Sequence, residues 1–368
     1  MLARCAGNLR RCIVELHEYK NGPKGGYKVL SPSYMIRVLK GMSLEKYKEV
    51  LDRTAKFSGM SKAAITADMA KCAVKFGAGY FDYVTFGFWD LTDEQRDTFL
   101  TRLRNKKLIS HFNDDTYEHL FDNKEDFNNL FRDYIKRDFI NFKTSSKGEV
   151  REFVEKHKVI FCKPVDGSCG HGCMKKNLDD YENFDEMYRE LLQEDSWLLE
   201  EVLKQHPDNE KVYPYAMNCL RIITVVDKQR VPHVIFATQK FGLNGRVVDN
   251  YGFGTRVDLE TGKICSPGVS GDGSMAIIYD EHPMTHYKLM GHQVPMFKEA
   301  CELAKEAALV VPQVRYVGWD IGITPDGPAI VEGNNYCAHD FWQLPAQTPE
   351  KTGILPVFEA IEPDLHVR

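Results

Sequence analysis

WDIGITPDGPAIVEGNN, Trp319 to Asn335, is the stretch from which the rest of the chain can be read. Two runs of alternating apolar residues flank Pro325-Asp326-Gly327, a short connection with proline and glycine where a hairpin loop wants them. If those three residues form the loop, Thr324 faces Pro328, and counting outward sets Asp320 opposite Glu332. Opposed side chains of an antiparallel pair share a face, and Asn334 lies two residues beyond Glu332 on that face. Two carboxylates and an amide therefore converge on one small volume. Like charges facing each other across strands repel, so the arrangement calls for a cation. All the donors are oxygen, which suits magnesium, an ion that completes its shell with water and substrate phosphate. A surface hairpin carrying two solvated acids is the alternative this stretch leaves open.

Working outward, 368 residues can bury a large core in about two or three compact units. The net charge of −5 argues against non-specific nucleic-acid binding, which needs a basic excess. The ten cysteines are scattered and form no CxxC pair, and several sit inside apolar runs, a usage that fits a reducing compartment better than a disulfide framework. Cys169, His171 and Cys173 lie in a glycine-rich turn with no second ligand pair nearby, which argues against zinc. The first twenty residues hold no apolar core of signal-peptide length, and no run approaches a membrane span. A cytoplasmic protein is the simplest expectation.

The region 1–110 reads as mainly helical, with three- and four-residue apolar spacing over Leu2–Lys20, Ser31–Leu51, Ser61–Phe76 and Thr92–Leu108. Between the last two lies GAGYFDYVTFGFWDL, whose aromatics suggest an extended segment filling the core or a domain interface, with an aromatic ligand platform as the alternative. Residues 111–200 and 201–368 mix strands and helices without strict alternation. The spacing predicts strands at Val159–Cys162 and Trp197–Val202 and a hairpin of Leu220–Val226 with Val231–Ala237. It predicts helices over Asn177–Gln193 and from Pro295 to Leu309. The class is therefore α+β rather than a doubly wound sheet.

Three further segments carry chemistry. KPVDGSCGHG, Lys163 to Gly172, follows a strand, and Gly167, Gly170 and Gly172 let successive N–H groups point into one anion-binding concavity. Ser168 adds a hydroxyl and Lys163 a point charge for phosphate. The loop is neither a Walker A motif nor a dinucleotide fingerprint, and a plain tight turn would fit it equally. Glu200, Glu201 and Val202 end an apolar run, where main-chain groups can meet an adenine and a carboxylate can meet ribose; solvated acids after an edge strand are the competing account. Asn218 and Arg221 stand inside the apolar MNCLRIITV, where a charge must be paired or face a cleft. Arg221 is shaped to clamp a phosphate or carboxylate, and a structural salt bridge is the alternative.

Lys124, Lys163 with its GSxGxG loop, Glu200-Glu201-Val202-Leu203, Asn218 with Arg221, then Asp320, Glu332 and Asn334 come in an order that resembles the ATP-grasp superfamily. More narrowly, KPVDGSCGHG, MNCLRIITV, the Asp249-Asn250 pair, HPMTHYKLMGHQVP and GWDIGITPDGPAIVEGNN resemble the sugar-transfer-associated ATP-grasp family. The likeness runs from about Asp122 to the C-terminus, with a weaker one over Tyr80 to Arg102. It implies two α+β subdomains clasping ATP. It also implies that Lys124 and Lys163 contact the nucleotide, with the Gly167–Gly172 loop, Ser168 included, over the phosphates. Glu200, Glu201 and Val202 would meet adenine and ribose, Asp208 or Glu210 being a second ribose candidate. Asp320, Glu332 and Asn334 would hold magnesium, and Arg221, with Lys163, would steady the transferred phosphoryl group.

The implied activity is a magnesium- and ATP-dependent ligase joining a carboxylate to an amine through an acyl phosphate. The family label points to surface-polysaccharide or secondary biosynthesis, for instance an amino acid joined to an amino sugar. Asn250, Arg256, His282, His286, His339 and Asp340 flank the nucleotide segments and are candidates for shaping the acceptor pocket, each with a surface role as the alternative. Two other functions stay open on sequence: a kinase of a small hydroxylated metabolite, and a non-catalytic nucleotide-binding scaffold.

Overall fold

The computed structural model describes residues 44–165, 172–193, 197–250, 252–270 and 276–368. Leu2–Lys20, much of Ser31–Leu51, and the loop residues Gly167, Ser168, Cys169, Gly170 and His171 lie outside them. The chain divides into two compact units: Met1–Leu108 with Asp272–Ala276 and Ala338–Arg368, and Ile109–Gly271 with Ile277–Cys337. Residues 338–368 thus group with the N-terminal region rather than with 201–337.

The described part of the first unit is helical. Ser61 accepts the Ala64 N–H to start the helix Lys62–Phe76, which ends at Gly77 in the left-handed region. The expected helix Thr92–Leu108 is instead two, Asp93–Asp97 and Arg102–Phe112. Tertiary partners take the main chain between them: Leu100 exchanges two hydrogen bonds with the Gln343 side chain, and the Thr101 hydroxyl donates to the Phe76 carbonyl. The aromatic segment is likewise not extended. It forms the helix Tyr80–Thr85 and a helical turn Phe88–Asp90, burying Tyr83, Phe86 and Phe88 against Phe76 and Phe99. Asp82 fixes it, accepting the Gly79 and Arg102 N–H groups and bonding His339.

The second unit has the expected α+β character, in two antiparallel sheets. Strands β1 (Phe139–Asn141), β2 (Val159–Pro164), β3 (Met174–Asn177) and β4 (Trp197–Glu201) form one, in the order β1-β4-β2-β3. Helices Lys147–His157 and Phe184–Gln193 pack on it through Val150, Val154, Met187 and Leu191. The second of these opens at Phe184 rather than Asn177, because Asn177 caps a separate turn over Leu178–Asp180. The larger sheet contains β5 (Leu220–Val226), β6 (Pro232–Phe241), β7 (Phe253–Arg256), β8 (Gly268–Ser270), β9 (Ile277–Tyr279), β10 (Tyr316–Thr324) and β11 (Gly327–Asn334). Its order is β11-β10-β5-β6-β7-β8-β9, which leaves β11 at an edge. Helix Phe297–Ala307 lays Phe297, Ala300, Leu303, Ala304 and Ala307 into a core shared with Ile222, Trp319 and Ile321. Phe121, Phe127 and Phe131 close the same core around Trp319.

The hairpin β10–β11 corrects one detail of the sequence reading and reaches its result by another route. Thr324 pairs with Gly327 and Ile323 with Pro328, so the turn holds Pro325 and Asp326 alone. The Thr324 hydroxyl closes it, donating to the Gly327 carbonyl and accepting from the Asp326 N–H. Continued regularly, that register would set Asp320 against Val331. Ile321 pairs with Ile330 and Asp320 with Glu332, so Val331 is the extra residue of a β-bulge. Gly333 follows because a Cβ there would stand 2.9 Å from Phe127 and 3.0 Å from Trp319.

Candidate functional site

A pocket opens between the two sheets of the second unit. One wall comes from the smaller sheet and the segments around it: Lys124, Arg137, Phe161, Lys163, Pro164, Cys173, Lys175 and Glu200 to Leu203. The other holds Met217, Cys219, Val247 to Asn250, Asp320, Val331 and Glu332. The lysines of the lining thus gather on one side, together with Glu200 and Glu201, while Asp249, Asp320 and Glu332 stand on the other.

The lysine side is built on strand ends. Lys163, one residue before the end of β2, places its ammonium 2.6 Å from Glu200 Oε2. Glu200 lies on β4 opposite Phe161, and its side chain is only 4% exposed. Arg137 Nη2 at 3.0 Å and Asn128 Nδ2 at 2.8 Å share its other oxygen. Burial alone would raise the Glu200 pKa, but the Arg137 and Lys163 charges outweigh it and hold the carboxyl down at about 2. Glu200 is thereby the counter-ion of the buried Arg137 and of the largely covered Lys163, and a ribose hydroxyl would have to compete with three donors for it. Glu201 accepts the Asp138 N–H at 3.0 Å. Lys124 reaches the Val165 carbonyl at 3.4 Å, at the entrance to the glycine-rich loop. Of that loop Gly172 is described, at φ +74, a conformation open to glycine and strained for other residues.

The acid end is the hairpin. Asp320 is buried, while the Glu332 side chain is 48% exposed and faces the pocket. Arg221, paired with Asp320 across β5 and β10, holds it in a two-pronged bond of 2.7 and 2.6 Å. Lys240 on β6 stands 3.4 Å from the same carboxylate and 3.0 Å from Asp249. Desolvation works against the Asp320 charge, yet Arg221 and Lys240 hold its pKa well below the usual carboxylate range. Glu332 moves the other way: desolvation and the Asp320 charge push it up, and Arg221, 3.7 Å away, offsets this in part. Asn334 sends its Nδ2 toward the Gly318 carbonyl at 3.3 Å and Glu332 Oε1 at 3.4 Å, so that its Oδ1 takes no part in either bond. A carboxylate offers about four lone-pair sites, and Arg221 and Lys240 engage three on Asp320. A hard cation therefore fits here on one Asp320 site, the Glu332 carboxylate and the Asn334 amide oxygen.

The structure brings Lys124, Lys163, Glu200, Glu201, Val202, Asn250, Asp320 and Glu332 around one cavity, with Gly172 packed close to its lining residue Pro164 and with Arg221 and Asn334 bonded to its acids. It takes other candidates elsewhere. Asn218 is fully buried, giving its amide to the Asn209 and Tyr213 carbonyls while its main chain binds Gln205 and Gln239. It braces a loop and faces no cleft. His282 is a core histidine: Nε2 meets the Gly242 carbonyl, Nδ1 accepts the Met284 N–H, and Tyr213 packs on the ring. Arg256 lies over Phe236 and does not line the pocket. Asp208 pairs with Lys211 on a surface turn, and neither it nor Glu210 reaches the cavity. His286 pairs with Glu281 on the surface, and His339 with Asp82 in the first unit.

Arg137, Lys175 and Lys240 are pocket residues or their direct partners that sequence reasoning passed over, while Asp249, which entered only through the Asp249-Asn250 motif, lines the pocket and pairs with Lys240. Lys240 and Gln239 interrupt an apolar strand as Arg221 does, so the same argument about a charge within a strand would have found Lys240. Arg137 hides in the basic stretch RDYIKRD and carries no local signal.

A family model described as sugar-transfer associated ATP-grasp matches residues 103–362. Among solved structures, the ATP-grasp ligase PsnB complexed with minimal precursor, Mg and ADP is similar at 16% identity, covering 68% of this chain and 60% of that one, with a TM-score of 0.40. The N5-carboxyaminoimidazole ribonucleotide synthetase from Thermotoga maritima is similar at 10% identity over 64% of this chain and 48% of that one, with a TM-score of 0.37. For the D-alanine-D-alanine ligase from Coxiella burnetii the values are 10%, 66%, 53% and 0.35. This chain thus spans less than two thirds of the length of each of these ligases. No curated protein matches. Among the described residues no helix is long and apolar enough to cross a membrane.

Proposed function

The chain belongs to the sugar-transfer associated ATP-grasp family, and from that premise we propose that it is a magnesium- and ATP-dependent ligase joining a carboxylate to an amine. The observation that carries the proposal is the register pair Asp320–Glu332, with Asn334 beside it, at the acid end of a lysine-lined pocket. In this reading adenine lies along Glu201 to Leu203, and Lys124 and Lys163 draw the phosphates toward the acids. Asp320, Glu332 and Asn334 would hold magnesium, which would supply charge neutralisation for the phosphates.

Lys163 orients the triphosphate, and Arg221 offsets the charge that grows on the transferred group. A substrate carboxylate oxygen attacks the γ-phosphorus, the bond to the β-phosphate oxygen breaks, and ADP leaves with the bonding pair. The amine then adds to the acyl carbon, loses a proton, and expels phosphate to leave an amide. In this reading Asn250, on the wall opposite the lysines, would meet the acid or the amine, a role its position along the pocket supports. An amino acid and an amino sugar fit the chemistry and the family description.

The test is an ADP-release screen of candidate acids crossed with amines, with mass spectrometry of the products. Hydroxylamine should trap the activated acid as a hydroxamate. ADP formation with a phosphate ester and no hydroxamate would replace the ligase by a kinase.

A further inference from the structure

Arg137 touches both halves of the pocket and has no role in the chemistry just described. Its side chain is 2% exposed. On one side Nη2 lies 3.0 Å from Glu200 Oε1, the carboxylate whose second oxygen holds Lys163. On the other, Nη1 donates to the Ile330 carbonyl at 2.6 Å and Nη2 to the Val331 carbonyl at 3.1 Å. In a regular strand successive carbonyls point to opposite edges. Two consecutive ones can meet a single guanidinium here because Val331 is the bulged residue, and a bulge disrupts the ladder locally. A planar fork of donors matches that geometry, and a lysine ammonium does not.

The bulge is what sets Glu332, rather than Val331, against Asp320. We propose that Arg137 is a positioning residue that clamps the Val331 bulge, so that the glutamate of the acid pair faces the cleft, and ties this register to the Glu200–Lys163 pair on the opposite wall. One side chain thereby couples the lysine that meets phosphate to the acid that meets metal. A one-residue relaxation of the strand would turn Glu332 to the other face. This inference rests on the magnesium and nucleotide reading above.

The experiment measures Mn²⁺ binding to the full chain with ADP, by electron paramagnetic resonance, and ADP binding in EDTA, by calorimetry. Arg137→Lys should keep ADP binding in EDTA within about threefold and weaken Mn²⁺ binding by about 10- to 100-fold, the usual cost of losing a group that orients metal ligands. Deleting Val331 removes the bulge but returns Glu332 to a place opposite Asp320 in a regular ladder. In that background Arg137→Lys should no longer weaken Mn²⁺ binding, a dependence that a merely structural ion pair would not show. Should Arg137→Lys fail to fold, the pair Arg137→Gln with Glu200→Gln avoids a lone buried carboxylate and should show the same Mn²⁺ loss. Mn²⁺ binding weakened by Glu332→Gln but by neither Arg137 variant overturns this inference alone. A wild-type chain that binds no Mn²⁺ with ADP overturns the functional reading and this inference with it.

Discussion

Glu200 and Glu332 sit in the same pocket, on strand segments that look alike in sequence, and the fold uses them in opposite ways. Glu200 is sealed in at the end of β4 with two cations and an amide on its carboxylate. Glu332 stands half exposed on β11 beside a second acid, with Arg221 at 3.7 Å. The first has its charge satisfied by the protein and is held at about 2; the second is pushed up by desolvation and by Asp320. A saturated acid serves the fold. An acid short of positive charge has a reason to take a cation from solution.

The sharpest way to break this contrast is to neutralise each acid in turn. Glu332→Gln should cut ADP-forming turnover on the order of 10³-fold, as expected when a charge-stabilising group at the reaction centre is lost. Its thermal midpoint should not fall, because the substitution removes an anion that the folded state disfavours. A midpoint well below wild type would show that Glu332 is a structural counter-ion after all. Glu200→Gln should behave in reverse. It leaves Arg137 and Lys163 without their anion and should cost about 3 kcal/mol in urea unfolding.

Acid titration sharpens the comparison further. The folded Glu200 carboxyl titrates at about 2 against an ordinary 4.5, so its stabilisation is present above pH 4.5 and is lost as pH falls from 4.5 toward 2. Glu332 has a raised folded pKa, so its ionisation lowers stability as pH rises through the carboxylate range. Urea midpoints measured across that interval should therefore fall with acid in the wild type, and fall less in Glu200→Gln. The smallest effect belongs to a histidine outside the pocket. His286→Ala breaks an exposed pair with Glu281 and should change stability by under ~0.5 kcal/mol, with turnover unaltered. A loss of turnover there would extend the site to the surface beyond β9.

Much of the site was legible along the chain. Alternation on either side of Pro325-Asp326-Gly327 placed Asp320 and Glu332 on one face, and that pairing is found. It was reached through a loop one residue too long, and the Val331 bulge supplies the missing residue on the other side of the count. Turn length and bulge are set by different contacts, one by the Thr324 hydroxyl and the other by Arg137. Asn218 and His282 misled because a polar residue in an apolar context has two explanations. Both proved to be buried groups with main-chain partners, and neither reaches the pocket.

From sequence alone come the mixed α+β class, the lysine and glycine-rich segment after a strand, and the acid-bearing hairpin. Each is written in a period of two or in turn residues a few positions apart, so local physics suffices to read it. Which acid is sated and which is left wanting is another matter. Glu200 depends on Arg137, 63 positions away, and Asp320 on Arg221, 99 positions away. Burial and charge pairing belong to space rather than to the chain, and they took their values when the two sheets closed around one pocket.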